Sequence, residues 1–215
     1  MEIKKFIFNP FEENTYIVSD ETKEAIVIDA GCLDKNEKRL LKEYIIDNQL
    51  IIKYILNTHL HIDHQFGNRF LLENYFIAPL AGKEDEFFLD TFREQTRFFG
   101  IKVEEEPAPL GGYLIDNQKI IFGNTSLQVF HVPGHSPGSM AFYFENEKAI
   151  FTGDVLFKGT IGRSDFEKGN FDDLIHSITQ RLLLLPDETI VYSGHGPLTT
   201  IENEKKYNPY LQNYC

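Results

Sequence analysis

The stretch 54–70 reads YILNTHLHIDHQFGNRF and crowds His59, His61, Asp63 and His64 into six positions. Three of the chain's seven histidines lie in this one loop. The apolar, β-rich run IKYILNT leads into it, so the first imidazoles stand at the end of a strand. In extended backbone, residues two apart point the same way, and His59 and His61 therefore converge. Asp63 and His64 follow where the chain turns into a helix, and their side chains need not face the same point. The spacing supplies ligands for two neighbouring cations. Neutral imidazole and carboxylate suit zinc, iron and manganese. A packed core is a poor home for such a set, because unpaired buried polar groups are costly.

Three further residues repeat one pattern, an apolar strand ending on a glycine-flanked polar side chain. VPGHSPGS places His135 between two Pro-Gly turns, FTGDVLF places Asp154 after a glycine, and YSGHGP places His195 between two glycines. Glycine beside a ligand lets backbone approach closely or take unusual dihedrals. In open α/β folds, sites gather beyond the carboxyl ends of strands. His131 is read as a packed or supporting histidine, and His176, on the polar side of a helix, as solvated.

The chain is 215 residues long, enough for one substantial core or two small halves packed together. KKFIF and TYIVS read as paired strands, EAIVIDAG as a buried strand, and KNEKRLLKEYIIDNQ as an amphipathic helix. A helix is expected from Asp63 through LLENY. A second is expected over 82–99, its Phe88, Phe92 and Phe99 stripe facing the core. EEEPAPLGG, around 104–112, is the expected boundary between halves. Beyond it, four strands (KIIFG, LQVFHV, SMAFYFE, KAIFTGD), the helix DDLIHSITQRLLLL, the strand TIVYSG and a last helix broken at Pro209 complete the order. Residues 1–215 thus read as one domain of two α/β halves, sheets inside and helices outside.

Composition narrows the function. A net charge of −12 without a Lys/Arg run repels nucleic acid and anionic membrane. No apolar stretch is long enough for a signal peptide or a membrane span. Cys32 and Cys215 lack CxxC spacing and read as free thiols in a reducing compartment. A cytosolic protein acting on a small molecule is expected.

Together with Asp29 in IDAG, the HxHxDH loop and the later His135, Asp154 and His195 resemble the metallo-β-lactamase superfamily. THLHIDHQFGN, VPGHSPGS, FTGDVLFKGTIGRSD and NPYL are most similar to its glyoxalase II group, the hydroxyacylglutathione hydrolases, in their short prokaryotic form. That resemblance implies a four-layer αββα sandwich and hydrolysis of thioesters of the hydroxyacylglutathione type. It implies that His59, His61 and His135 hold one divalent ion, that Asp63, His64 and His195 hold the other, and that Asp154 bridges both. Zinc is the first expectation for the pair, with iron or manganese as alternatives. Asp29 would support a ligand from behind. Ions about 3.5–4 Å apart would share a water and draw its pKa towards neutrality, and the resulting bridging hydroxide would attack the acyl carbon. Asp63 and Asp154 would orient it. Arg163 and Lys158, in the loop after Asp154, are the resemblance's candidates for gripping an anionic substrate; the competing expectation for Arg163 is an ion pair with Asp165. The helical glutathione-binding extension of longer members would follow His195, where twenty residues (215 − 195) remain, so recognition of glutathione stays open. An iron-dependent persulfide dioxygenase with one metal is the alternative on the same fold, ahead of a nuclease or lactonase. A β-lactamase is disfavoured because Asp154 stands where such enzymes often carry Cys.

Overall fold

A computed structural model describes residues 1–212 and 214. The first half runs β1 (Glu2–Phe8), β2 (Glu13–Ser19), β3 (Glu24–Ile28), α1 (Lys35–Asp47), β4 (Ile51–Leu56), α2 (Asn68–Tyr75), β5 (Leu80–Gly82), α3 (Phe87–Phe98) and β6 (Gly112–Leu114). Its strands form one sheet in sequence order, β1 to β6. The second half runs β7 (Lys119–Phe122), β8 (Thr125–His131), β9 (Met140–Phe144), β10 (Ala149–Gly153), the small hairpin β11 (Leu156–Phe157) and β12 (Thr160–Ile161), α4 (Phe171–Ser177), β13 (Ile190–Ser193), β14 (Thr199–Thr200) and α5 (Ile201–Tyr207). Its main sheet has the order β14-β13-β10-β9-β8-β7. Because β6 still belongs to the first sheet, the chain changes sheets at 115–118, just beyond the Pro/Gly-rich break at 104–112.

Strand alternation builds the four layers. In β3, Ala25 and Val27 face outward against Leu41 and Ile45 of α1 and Leu71 of α2. Ile26 and Ile28 face inward and meet Phe122, Phe142, Phe144 and Phe151 from the other sheet. In the second sheet Ala141, Tyr143 and Ile150 face outward against Leu174 and Ile175 of α4 and Ile201 of α5. Both faces of the central strands are therefore covered, which is why β3, β9 and β10 read as nearly unbroken apolar runs. The chain's many phenylalanines fill the seam: Phe142, Phe144 and Phe151 are completely or almost completely buried between the sheets. Truncating one of them to Ala costs about 3–5 kcal/mol.

Helix ends follow local chemistry. Asp34 caps α1 by accepting from the backbone N–H groups of Asn36 and Glu37, and Glu37 returns a capping-box bond to Asp34. The expected helix from Asp63 is split. A single 3₁₀ turn, Ile62–His64, precedes α2, which starts only at Asn68. Gly67 runs so close to residues 30–32 that a Cβ there would overlap Cys32 Sγ and lie 2.9 Å from Ala30 O. The loop carrying the histidines is thereby set apart from the helix after it. Cys32 is a buried free thiol whose pKa is pushed up by burial; Cys215 lies outside the described residues. Among the described residues no helix is long and apolar enough to cross a membrane.

Candidate metal centre

The two halves meet at one end of the sandwich, and polar side chains gather at that seam. Met140 N donates to Thr58 O (2.7 Å), Asn14 N donates to Gly194 O (2.7 Å), and Tyr16 Oη donates to Ser193 O (2.7 Å). The first holds the loop after β4 against the start of β9, and the other two hold β2 against the end of β13.

Around this seam the structure brings together all seven of the expected ligand residues. One nitrogen each from His59, His61 and His135 lie within 4.8 Å of one another, as do ligand atoms of Asp63, His64 and His195. His135 Nε2 is 2.9 Å from His61 Nδ1 and 3.3 Å from His59 Nε2. Asp154 stands between the groups. Its Oδ1 is 3.5 Å from His64 Nε2, and its Oδ2 is 3.7 Å from His135 Nε2 and 3.6 Å from His195 Nε2. Asp63 Oδ2 is 3.2 Å from His195 Nε2 and 3.6 Å from His64 Nε2.

The outer nitrogens of four rings are already engaged. His135 Nδ1 donates to Arg163 O (2.7 Å) and His195 Nδ1 donates to Phe11 O (3.0 Å). His64 Nδ1 lies 3.1 Å from Asp29 Oδ2. Thr58 Oγ1 donates to Asp29 Oδ2 (2.6 Å), so it can only accept from His59 Nδ1 at 3.1 Å. In each of these rings the proton is fixed outward and Nε2 faces the centre. This is the arrangement by which supporting groups orient metal-binding imidazoles. Asp29 thus holds His64 directly and His59 through Thr58, and its Oδ1 also accepts from Thr58 N (2.7 Å). Among the described residues, the buried atoms His64 Nε2 and Asp154 Oδ1 have no hydrogen-bond partner. Buried polar atoms are seldom left so, and a cation between them satisfies both. The donor set, imidazole and carboxylate, suits a divalent transition ion.

Protonation differs between the two groups. Burial, and then the neighbouring imidazoles, hold His59 well below its ordinary pKa. Burial and His135 bring His61 down to about 3. Burial also lowers His135. Burial would lower His64 too, but the carboxylates of Asp63 and Asp154 outweigh it and raise His64 well above its ordinary value. His195 is raised likewise, burial being outweighed by Asp63 and Asp154. Burial would raise the two carboxyls; the surrounding imidazoles, His64 first, outweigh it and hold both below the usual range.

Glycine makes room for this crowd. A Cβ on Gly194 would overlap Asp154 Oδ1 and lie 2.7 Å from His64 Cε1. Gly153 takes φ +50° immediately before Asp154, a conformation that favours glycine.

A cleft of about 880 Å³ opens onto His61, Asp63, His135 and Asp154. Phe11, Phe88, Phe98, Phe99 and Phe166 give it an aromatic wall, and Glu94, Glu167 and Arg163 stand at its polar edge. Phe88 and Phe92 are core residues as the stripe predicts, but Phe98 is 83% exposed and Phe99 faces the cleft.

The two substrate candidates fare differently. Arg163 lines the cleft; its guanidinium pairs with both oxygens of Asp165 (2.9 and 2.8 Å) and lies 4.3 Å from the Phe166 ring centroid. The ion pair expected as the competing role is therefore present. Lys158 lies elsewhere. It sits at the exposed turn of the β11–β12 hairpin, beside Leu198, Thr199 and Asn203, and does not line the cleft. The turn is pinned there because Gly159 N donates to Glu204 Oε2 of α5 (2.9 Å). His131 bonds Pro137 O through Nε2 (2.9 Å), and His176 is exposed.

Sequence reasoning missed Glu13 and Thr58. Glu13 is fully buried behind His64, with burial raising its pKa well above the ordinary value, and accepts from Thr15 Oγ1 (2.8 Å). A lone glutamate at a strand start carries no local sign of burial. Thr58 was recognisable only as the neighbour of His59.

Fold and site define a metallo-β-lactamase-type protein, and the family comparison agrees: the chain belongs to the metallo-beta-lactamase superfamily, whose sequence pattern matches residues 8–195. It is similar to the hydroxyacylglutathione hydrolase GloC of Haemophilus influenzae, at 35% identity over 98% of each chain. Among solved structures it is similar to TTHA1623 in a di-iron-bound form, with 35% identity, a TM-score of 0.85, and coverage of 97% of this chain and 100% of that one. It is also similar to the B3 metallo-beta-lactamase BLEG-1, with 34% identity, a TM-score of 0.86, and coverage of 98% and 99%. The superfamily identifies the chain as a metallo-hydrolase.

Proposed function

We propose that this protein is a dinuclear metal-dependent hydrolase of acyl thioesters, with hydroxyacylglutathione thioesters the first substrates to test. The observation that carries the reading is the convergence of seven ligand side chains with four imidazole nitrogens pinned outward and His64 Nε2 and Asp154 Oδ1 left unpartnered. His59, His61 and His135 would hold one ion, Asp63, His64 and His195 the other, and Asp154 would reach both. The ions would supply an acidified water and an electrophile for the acyl oxygen; zinc, iron and manganese all suit these donors. The likeness to a di-iron protein supports two ions, and the likeness to GloC supports the thioester.

The chain's own residues do the rest. Asp63 and Asp154, kept ionised by the imidazoles around them, accept hydrogen bonds from the attacking water and fix its direction. Phe88 and Phe166 flank His61 at ring distances of 4.7 and 5.2 Å and keep bulk water from the reacting carbon. A thiol leaves readily near neutral pH, its pKa being about 8.5, so no strong general acid is required. Arg163 can meet an anionic group only by loosening its pair with Asp165.

The test is a substrate panel on metal-depleted protein reloaded with zinc, iron or manganese, beginning with lactoylglutathione. Thioester hydrolysis should depend on added metal and fall at least about 100-fold in Asp154→Ala. Normal turnover and normal metal content in that variant would refute the assignment. The panel includes a β-lactam because of the likeness to BLEG-1, and an oxygen-uptake arm with glutathione persulfide. Activity in either arm without thioester turnover replaces the reading.

A further inference from the structure

A second buried carboxylate, outside the ligand set, links the two loops that carry the three-histidine cluster. Asp85 lies in the turn between β5 and α3 and is completely buried. Its Oδ2 accepts from Leu60 N (3.1 Å), the peptide between His59 and His61. The same oxygen accepts from Ser136 Oγ (2.7 Å), the residue after His135, and Oδ1 accepts from Gly138 N (2.6 Å). Ser136 Oγ is committed as a donor to the carboxylate, so Ser139 Oγ donates to it in turn (2.8 Å). One side chain therefore bonds both the first-half loop and the second-half loop, beside all three imidazoles that meet at His135 Nε2.

Packing fixes this link as firmly as the hydrogen bonds do. A Cβ on Gly138 would lie 2.7 Å from Asp85 N, Cγ and Oδ1, and a Cβ on Gly82 would overlap Gly138 O. The two segments are in backbone contact and have no slack. Among the described residues no cation pairs with the carboxylate; two peptide N–H groups and one hydroxyl satisfy it. Charge-assisted bonds of this kind are stronger and more directional than neutral ones. Removing the charge while keeping the shape leaves an amide NH₂ pointing at donors, which costs more than a missing bond. The Asp63–His64–His195 cluster has no such link to Asp85. It is held instead by Asp29 and by Phe11 O.

On the reading that these clusters bind metal, we propose that Asp85 is a positioning residue that sets the spacing of His59 and His61 against His135, and so governs metal affinity at that cluster alone. It touches neither substrate nor ion. It acts through Leu60, Ser136 and Gly138.

The experiment is a Co²⁺ titration of the metal-depleted full chain, followed by visible d–d absorption and by bound-metal analysis. It compares the wild type, Asp85→Asn, Ser136→Ala and Asp29→Asn. The wild type should bind two equivalents. Asp85→Asn should bind one with unchanged affinity and the other about 10–100-fold more weakly, with the absorption of the weakened equivalent altered. Ser136→Ala removes one of the three donors and should shift the same equivalent in the same direction by less. Asp29→Asn should weaken the Asp63–His64–His195 equivalent as well. If both equivalents weaken together in Asp85→Asn, or neither does, the positioning role is overturned. If Asp85→Asn does not fold by circular dichroism, Ser136→Ala decides: an unshifted titration overturns the proposal. A wild type that binds no second equivalent overturns the dinuclear reading itself, a different result from either.

Discussion

The two histidine clusters are neighbours with opposite protonation. His59, His61 and His135 are buried among one another, and all three are driven to the neutral form. His64 and His195 face Asp63 and Asp154, and both are driven to the charged form. The first cluster offers bare lone pairs to a cation. In the second, the carboxylates favour protonated rings, so an entering cation must compete with protons. A single fold can thus build two sites of one ligand chemistry that differ in how a metal enters them.

That contrast can be tested hardest at Asp154, which reaches both sides. Asp154→Ala should lower affinity for both equivalents as well as activity, the largest loss expected of any single change at the site, at least about 100-fold. A variant that loses only one equivalent would show that the two clusters are independent. Asp29→Asn should come next, at about 10–100-fold, because it frees His64 directly and His59 through Thr58.

The proton contrast gives a smaller, sharper measurement. Zn²⁺ binding near pH 7, titrated calorimetrically in buffers of different ionisation enthalpy, should release protons from the Asp63–His64–His195 cluster and almost none from the other. Affinity there should weaken as pH falls. The same groups set the metal-free stability curve. His64, raised above its ordinary 6.5, stabilises the fold fully below pH 6.5 and loses that contribution as pH rises through its raised pKa. Asp63 and Asp154, lowered from 3.8, contribute above pH 3.8 and lose that contribution as pH falls through their lowered values. Equal proton release from both clusters would erase the distinction.

The smallest effects belong to the rim. Arg163 and Asp165 are 66% and 68% exposed, so Arg163→Ala should leave the thermal midpoint unchanged within error. A several-fold rise in KM for an anionic thioester would show that Arg163 leaves Asp165 for substrate. Lys158→Ala, away from the cleft, should change neither KM nor kcat.

What the sequence made legible was local. His59 and His61 follow from strand periodicity, and His135, Asp154 and His195 from glycine-flanked strand ends. The layers follow from the order of strands and amphipathic helices in each half, with the apolar run of β3 marking a buried strand. The illegible part depends on distant segments. Nothing near Glu13 or Asp85 marks them as buried, since each is surrounded in sequence by other polar residues and is covered by segments distant in sequence, Gly31 and His64 for Glu13, and Leu60, Ser136 and Gly138 for Asp85. The helix expected from Asp63 begins only at Asn68, after Gly67 passes close to residues 30–32, a contact no periodicity reports. Phe99 looked like core because helical spacing registers a stripe, not which of its members the rest of the chain covers.

The seam between the sheets gives each cluster a mixed parentage. His59, His61, Asp63 and His64 belong to the first half, and His135, Asp154 and His195 to the second. An ion held by either cluster would rivet one half of the molecule to the other. At a free concentration one hundred times its Kd, each such rivet favours the folded chain by about 2.7 kcal/mol, a large share of the stability of an ordinary domain. A chelator would then act on this protein as a mild denaturant, prising the sandwich open along its middle.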